Sequence, residues 1–170
     1  MKTNIALIGF MATGKTAVGR LLAERTGKSF IELDSLIAQR AGKSIEDIFT
    51  EDGEAAFRKL EIALVKEIAG NKNQVIACGG GVVLNKINID RLKDYATIIL
   101  LEAKPEIILK RALNDRAVRP LLKGNDKMPK IKELLDFRQP LYRRAADMTI
   151  DTSDMDIRQI RDEIIKLLEA

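Results

Sequence analysis

The sequence has no histidine and no tryptophan, and only one of its 170 residues is a cysteine. Without histidine, the Ser-His-Asp and Cys-His nucleophile arrangements and histidine-ligated metal sites are excluded. A single cysteine cannot build a disulfide framework or a cysteine-clustered zinc site. Any chemistry must therefore use carboxylates, lysine, arginine, hydroxyl groups or the backbone.

Long hydrophobic runs and a strong charge excess are also lacking. The apolar run at residues 5–8 is too short to cross a membrane, and no signal-peptide pattern accompanies it. The 29 Lys and Arg against 25 Asp and Glu give a net charge of +4, which is small for a nucleic-acid-binding surface but suits a compact anionic ligand. We therefore expect a cytoplasmic protein that binds neither membranes nor nucleic acids, with a single domain over residues 1–170 and a monomeric state.

Short apolar runs alternate with helical patterns along the whole chain. Five runs have the length and the isoleucine and valine content of buried parallel strands, namely residues 5–8, 30–33, 74–78, 97–101 and 148–151. Helical spacing of apolar residues predicts helices over residues 16–25, 54–69 and 129–145, one that opens at Pro105, and one at the C-terminus. This alternation predicts an α/β domain with a mainly parallel sheet covered on both faces.

Three local signals refine this scheme. We expect Pro140 to kink or break the helix over residues 129–145. Ser44 and Ser153, each followed three residues later by an aspartate, predict capped helix starts. Residues 114–127 are dense in charge and lack a sustained apolar period, which predicts a surface loop, and we assign a mobile lid to residues 112–127.

The segment Gly9-Phe10-Met11-Ala12-Thr13-Gly14-Lys15-Thr16 matches G-x-x-x-x-G-K-[ST] between a predicted strand and a predicted helix. In such a P-loop the backbone N–H groups and the helix N-terminus point at phosphate. Lys15 then reaches the β- and γ-phosphates, and the Thr16 hydroxyl is a ligand for Mg²⁺. An Asp-x-x-Gly sensor is missing from the sequence, so a signalling GTPase is disfavoured and a small-molecule kinase using ATP remains.

Four further features follow predicted strands or lie on predicted helices. Glu32 and Asp34 are placed on one face of an extended strand, so that two carboxylates point the same way. Arg58 and Glu61 are three apart on a helix, where the glutamate can hold the guanidinium. The glycines at 79–81 follow a strand, and Arg138 lies near the expected helix break. Solvated acids, a surface ion pair and a tight turn are the alternative interpretations of these features.

Together these stretches resemble the shikimate kinases over nearly the whole chain. The resemblance is carried by residues 9–16, Glu32-x-Asp34, Phe57-Arg58-x-x-Glu61, Gly79-Gly80-Gly81, Arg119-Pro120-Leu121-Leu122 and Arg138-x-Pro140-Leu141-Tyr142. The family implies a three-layer α/β/α P-loop NTPase fold with a five-stranded parallel sheet. It also implies transfer of the ATP γ-phosphoryl to the 3-hydroxyl of shikimate, with Mg²⁺, and a substrate-binding helical segment near residues 34–61.

The resemblance assigns roles residue by residue. Lys15, Asp34 and Arg119 are the expected catalytic residues. The nucleotide is expected to contact Gly9, Ala12, Thr13, Gly14, Lys15, Thr16, Ala17, Arg111, Arg119, Thr152 and Ser153. Shikimate is expected to contact Asp34, Arg58, Gly79, Gly80, Gly81 and Arg138, and the metal Thr16 and Glu32.

Two positions depart from the family pattern. The family usually has Asp-x-Asp where this sequence has Glu32-Leu33-Asp34, which lengthens the first carboxylate by one methylene. Cys78 stands where small hydroxyl residues often precede the glycines, and we expect it to be inert core. A kinase of another carboxylated polyol, such as gluconate, and a non-catalytic nucleotide-binding regulator are the alternative functions.

Overall fold

The computed structural model describes residues 1–115, 122, 124 and 126–170. Half of the predicted lid, including Arg119, lies outside the described residues. In the described part of the chain, no helix is long and apolar enough to span a membrane.

A parallel sheet of five strands forms the centre of the described structure. The strands are β1 (Asn4–Ile8), β2 (Ser29–Glu32), β3 (Gln74–Ala77), β4 (Ala96–Glu102) and β5 (Met148–Asp151). Their order across the sheet is β2-β3-β1-β4-β5, and every neighbouring pair is parallel. The central strand β1 places Leu7 opposite Ala77 on one side and Ile99 on the other. The predicted fold class and the five predicted strands are confirmed.

Helices connect the strands and cover both faces of the sheet. They are α1 (Lys15–Thr26), α2 (Leu33–Ala41), α3 (Ile45–Asp47), α4 (Glu54–Ile68), α5 (Lys86–Tyr95), α6 (Pro105–Asn114), α7 (Lys127–Ala145) and α8 (Ile157–Glu169). A π-helical turn at Ile48–Asp52 continues α3, and a short 3₁₀ helix, Val82–Leu84, precedes α5. Pro105 opens α6, as predicted.

Alternation along the strands divides the apolar residues between two cores. On β1, Ile5 and Leu7 belong to a cluster shared with α1 and α8, whereas Ala6 and Ile8 belong to one shared with α4 to α7. Each fully buried leucine or isoleucine contributes about 1.5–3 kcal/mol relative to an exposed one. The sheet is therefore the middle of three layers, and its strand ends remain open to a ligand.

Pro140 does not break α7, so the break that the sequence offered as an alternative to a kink is wrong. It lies within a continuous helix that begins at Lys127. A proline cannot donate a hydrogen bond to the carbonyl four residues earlier, which belongs here to Asp136. Because Asp136 and Pro140 are both exposed, water can solvate that carbonyl, and the helix continues.

One of the two predicted helix caps is confirmed and the other is wrong. The Ser44 hydroxyl accepts a hydrogen bond from the Asp47 N–H at 3.0 Å. At α8, however, Asp156 is the N-cap, and Gln159 completes the capping box. Ser153 instead donates its hydroxyl to Asp151, because the chain turns there before α8 begins.

Candidate active site

A cavity of about 930 Å³ opens where the carboxyl ends of the strands meet. Its wall includes the P-loop, the junction of β2 and α2, the start of α4, the three glycines after β3, and Arg138 on α7. Residues from α6 and α8 close the opposite end. The fold therefore gathers most of the predicted site residues around one space.

The P-loop backbone has the shape that its glycines allow. Gly14 has φ 93°, a left-handed conformation, and α1 begins at the next residue with its N-terminus at the cavity. A methyl group on Gly9 would lie 2.3 Å from the Leu101 carbonyl oxygen, so only glycine fits there. The Lys15 ammonium donates to the carbonyls of Gly9 and Phe10 at 2.8 and 2.7 Å.

The predicted nucleotide-binding residues of the loop lie mostly on the cavity wall. Residues 12–17, which are Ala12, Thr13, Gly14, Lys15, Thr16 and Ala17, all line it. Gly9 does not line the wall but shapes the loop beneath it. The helix N-terminus and the lysine together create a positive potential suited to phosphate.

Glu32 and Asp34 line the cavity, but not from one strand as predicted. Strand β2 ends at Glu32, and Asp34 lies in the first turn of α2. Leu33 and Ile37, four residues apart on the helix, are both buried, and this packing fixes the first turn. Arg20 Nη2 lies 3.9 Å from the Glu32 carboxylate, so this acid already has a cationic neighbour.

The predicted pairing of Arg58 and Glu61 is confirmed. Arg58 Nη1 donates to Glu61 Oε1 at 3.1 Å, and Arg58 Nη2 donates to Glu54 at 3.1 Å. Glu61 is fully buried, and that burial raises its pKa to about 7, with the Asp34 charge adding to the rise and Arg58 opposing it. The Arg58 guanidinium is thus held by these two carboxylates, and its side chain is only 13% exposed.

The three glycines at 79–81 bring the predicted acceptor-binding residues together. A methyl group on Gly79 would lie 2.6 Å from Asp34 Oδ1, and one on Gly81 would lie 2.3 Å from Arg58 Nη2. The corresponding position on Gly80 is 3.6 Å from Arg138 Nη1. Gly79 and Gly81 are therefore glycines because the Asp34 carboxylate and the Arg58 guanidinium lie against their backbone, whereas a methyl group on Gly80 would only make an ordinary van der Waals contact with Arg138.

Cys78, directly before the triplet, belongs to the core as expected. It is 3% exposed, and burial raises the pKa of its thiol far above the usual value. A thiol that stays protonated is a poor nucleophile. The cysteine therefore forms part of the cavity floor and has no role in covalent chemistry.

At the opposite end, Arg111 lines the cavity and is anchored by Thr152. Arg111 donates to the Thr152 hydroxyl at 3.0 Å and to its carbonyl at 2.8 Å. Thr152 and Ser153, predicted to contact the nucleotide, lie outside the wall. Instead, Met155, Asp156, Ile157 and Ile160 line it.

The sequence analysis did not assign these four residues to the site. They lie at the start of α8 or just before it, where the apolar stripe indicates only a core face. Ile157 begins that stripe but is 42% exposed in the structure. Its position on the cavity wall therefore becomes visible only once the fold is known.

Comparison with known proteins agrees with this geometry. The family model described as shikimate kinase matches residues 11–169. The chain belongs to the shikimate kinase family. A shikimate kinase of Caldanaerobacter subterraneus subsp. tengcongensis is 48% identical over 163 residues, covering 96% of this chain and 94% of the relative. One from Thermodesulfovibrio yellowstonii is 44% identical, covering 98% and 95%.

Solved shikimate kinases share the fold over almost the whole chain. The Acinetobacter baumannii shikimate kinase, solved in complex with shikimate, superposes with a TM-score of 0.94 at 36% identity, covering 99% of this chain and 94% of that one. The Bacteroides thetaiotaomicron shikimate kinase gives a TM-score of 0.91 at 30% identity, with 99% of both chains covered. The predicted family and its kinase activity are confirmed.

Proposed function

We propose that this shikimate kinase family member transfers the γ-phosphoryl group of ATP to the 3-hydroxyl of shikimate, giving shikimate 3-phosphate and ADP. One observation carries the proposal. A single cavity has a P-loop on one wall and, around a glycine triplet, Asp34 with Arg58 and Arg138 on the other. Such a cavity places a phosphate donor beside a small acidic acceptor with hydroxyl groups.

The nucleotide end supplies positive potential. Lys15 and the N-terminus of α1 face the space in which the phosphates are expected. The side chain of Lys15 must exchange its contacts with the Gly9 and Phe10 carbonyls for phosphate oxygens. At the far end, the Arg111 guanidinium is fixed by Thr152 in a position suited to the adenine ring.

The acceptor end is built for a carboxylate. Arg58 and Arg138 are 13% and 4% exposed, and both lie against the glycine triplet. Two partly desolvated guanidinium groups bind a carboxylate by charge-assisted hydrogen bonds, which are stronger than hydrogen bonds between neutral groups. Gly80 contributes backbone at the same point.

The transfer itself requires alignment more than covalent chemistry. The acceptor oxygen attacks the γ-phosphorus, the bond from that phosphorus to the oxygen bridging to the β-phosphate breaks, and the hydroxyl proton goes to Asp34. Asp34 is held beside Gly79, which keeps its carboxylate at the acceptor end. The role of Arg119 in neutralising the transferred group stays a prediction.

The oxygen donors at the cavity fit Mg²⁺. The Thr16 hydroxyl and the Glu32 carboxylate both line it, and Mg²⁺ prefers one or two protein oxygens together with water and substrate phosphates. Among the described residues, no cluster of three or more acidic, cysteine or histidine side chains could hold a metal unaided, which suits this mode of binding. When bound, the ion would neutralise charge on the β- and γ-phosphates.

A coupled assay of ADP release tests the proposal. The purified protein is mixed with ATP and Mg²⁺ and then with shikimate, quinate, gluconate or no acceptor. We expect rapid release with shikimate alone. Faster release with gluconate would favour the alternative carboxylated-polyol kinase, and equal release in all four mixtures would contradict an acceptor site. The monomeric state, the cytoplasmic location and the lack of nucleic-acid binding stay predictions from the sequence.

A further inference from the structure

The sequence motif around Arg138 also contains Tyr142, whose side chain has no part in the function proposed so far. Tyr142 is 1% exposed and lies on α7 one helical turn after Arg138, so that both side chains project from the same face of the helix. Its hydroxyl donates a hydrogen bond to the carbonyl of Gly80. Tyr142 therefore connects α7 to the glycine triplet at the acceptor end of the cavity.

The three carbonyls of the triplet have three different donors. The Gly79 carbonyl accepts the N–H of Val82 at 3.1 Å, and the Gly81 carbonyl accepts that of Leu84 at 3.0 Å. Both bonds belong to the local turn, whereas the bond from Tyr142 to Gly80 comes from another element. Because a trans peptide carries its N–H opposite its carbonyl, anchoring the Gly80 carbonyl also fixes the direction of the next N–H along the chain.

Tyr142 also contacts Arg138. Burial raises the pKa of the phenol to about 12, while Arg138 opposes that rise by its charge and by a hydrogen bond to the phenol oxygen. The Arg138 guanidinium thus lies close to the phenol oxygen, and the phenol donates its proton to the Gly80 carbonyl. Since Arg138 Nη1 is also 3.6 Å from the methyl position of Gly80, the three groups form one contact cluster.

We propose that Tyr142 is a positioning residue for the acceptor carboxylate, because its hydroxyl holds the Arg138 guanidinium and the Gly80 peptide in a fixed relation. The inference rests on the proposed function, in which these two groups bind the shikimate carboxylate. Removing the hydroxyl leaves the aromatic packing in place but frees the guanidinium and the peptide to move independently. The loss is expected in acceptor binding rather than in ATP binding.

Steady-state kinetics of Tyr142→Phe tests the role, with Tyr95→Phe as the matched control. Tyr95 is the other tyrosine of the chain and is 48% exposed. We expect Tyr142→Phe to raise the shikimate KM about tenfold, as for the loss of one buried hydrogen bond, with the ATP KM and kcat within about twofold of wild type. Tyr95→Phe is expected to change none of the three.

The possible failures are distinguishable. An unchanged shikimate KM in Tyr142→Phe would overturn the positioning role, as would an equal rise in both KM values, which indicates a general structural effect. A wild-type protein that does not phosphorylate shikimate would instead overturn the proposed function, and this role with it.

A second measurement does not depend on how the variant folds. Replacing both tyrosines with 3-fluorotyrosine gives two ¹⁹F resonances, which the Tyr95→Phe protein assigns. We expect the Tyr142 resonance to shift on addition of shikimate and to shift much less with ADP alone. A Tyr142 resonance that does not shift on addition of shikimate, or that shifts equally with shikimate and with ADP, would contradict the inference.

Discussion

The Glu61 carboxylate accepts a hydrogen bond from Arg58 at 3.1 Å and is itself completely buried. Glu61 therefore holds the Arg58 guanidinium in place without blocking the side of the guanidinium that faces the cavity. Burial also makes ionisation of Glu61 costly, and this raises its pKa from 4.5 to about 7. The same carboxylate thus links the geometry of the acceptor site to the pH dependence of stability.

The raised pKa of Glu61 predicts a loss of stability as the pH increases. The folded protein keeps a proton that the unfolded chain releases between about pH 4.5 and 7. The contribution of Glu61 to the free energy of unfolding therefore falls across that window, by about 3 kcal/mol in all, and is constant above it. Urea denaturation of wild type and Glu61→Gln at several pH values measures the difference between them.

The control for this experiment is Glu67→Gln. Glu67 is exposed and pairs with Arg40, which lowers the pKa of its carboxyl. The difference between wild type and this variant is expected to show no decline with increasing pH. A Glu61→Gln difference that stays flat from pH 4.5 to 7 would contradict the raised pKa.

Removing the Arg58 side chain is expected to weaken acceptor binding strongly. In the proposed site, Arg58→Ala removes one of the two guanidinium groups that would bind the shikimate carboxylate, and it also leaves the buried Glu61 without its cation. We expect the shikimate KM to rise about 100-fold or more, with little change in the ATP KM. Arg40→Ala, which removes an exposed arginine outside the cavity wall, is the control and should leave both constants unchanged. An unaltered shikimate KM in Arg58→Ala would remove Arg58 from the acceptor site.

Substituting Asp34 separates chemistry from nucleotide binding. Asp34→Asn keeps the size of the side chain but cannot take up the hydroxyl proton, so kcat is expected to fall about 100-fold or more. The affinity for ATP, measured by calorimetry, should be unchanged because the P-loop is untouched. Asp90→Asn, on the exposed side of α5, is the matched control. Near-normal kcat in Asp34→Asn would disprove the assigned role.

Much of the fold can be predicted from residue patterns in the sequence. The five apolar runs form strands because residues such as Leu7 and Ile99 are buried within a parallel sheet whose two faces are covered. The spacing of Gly9, Gly14 and Lys15 identifies the P-loop, since its glycines are needed for backbone shape rather than for packing. The pairing of Arg58 with Glu61 followed from helical periodicity.

The sequence fails to predict segments in which local conformational preference competes with tertiary packing. The sequence pattern predicts that Asp34 extends the strand, yet α2 begins at Leu33, because the burial of Leu33 and Ile37 stabilises the first helical turn. The π-helical turn at Ile48–Asp52 has no sequence signature, because its wider turn depends on how the segment packs. The anchoring of Arg111 by Thr152 could not be predicted either, because it joins residues 41 positions apart in the sequence.

Adding one methyl group to Gly79 is expected to damage the acceptor site through direct contact. The new carbon in Gly79→Ala would lie 2.6 Å from Asp34 Oδ1 and 3.2 Å from Glu61 Oε2, so at least one of the two carboxylates must move. Gly79 does not have a positive φ, so the effect is steric rather than conformational. We expect kcat/KM for shikimate to fall about 100-fold and the free energy of unfolding to fall by about 1–3 kcal/mol.

Gly70→Ala is the matched control for this substitution. Gly70 follows α4, has no atom within 4 Å of its methyl position and does not have a positive φ, so the same chemical change meets open space. Its kcat/KM is expected to equal that of wild type. If Gly79→Ala lost stability but kept full kcat/KM, the carboxylates could move without cost to the reaction. Asp34 would then be oriented by contacts other than the glycine backbone.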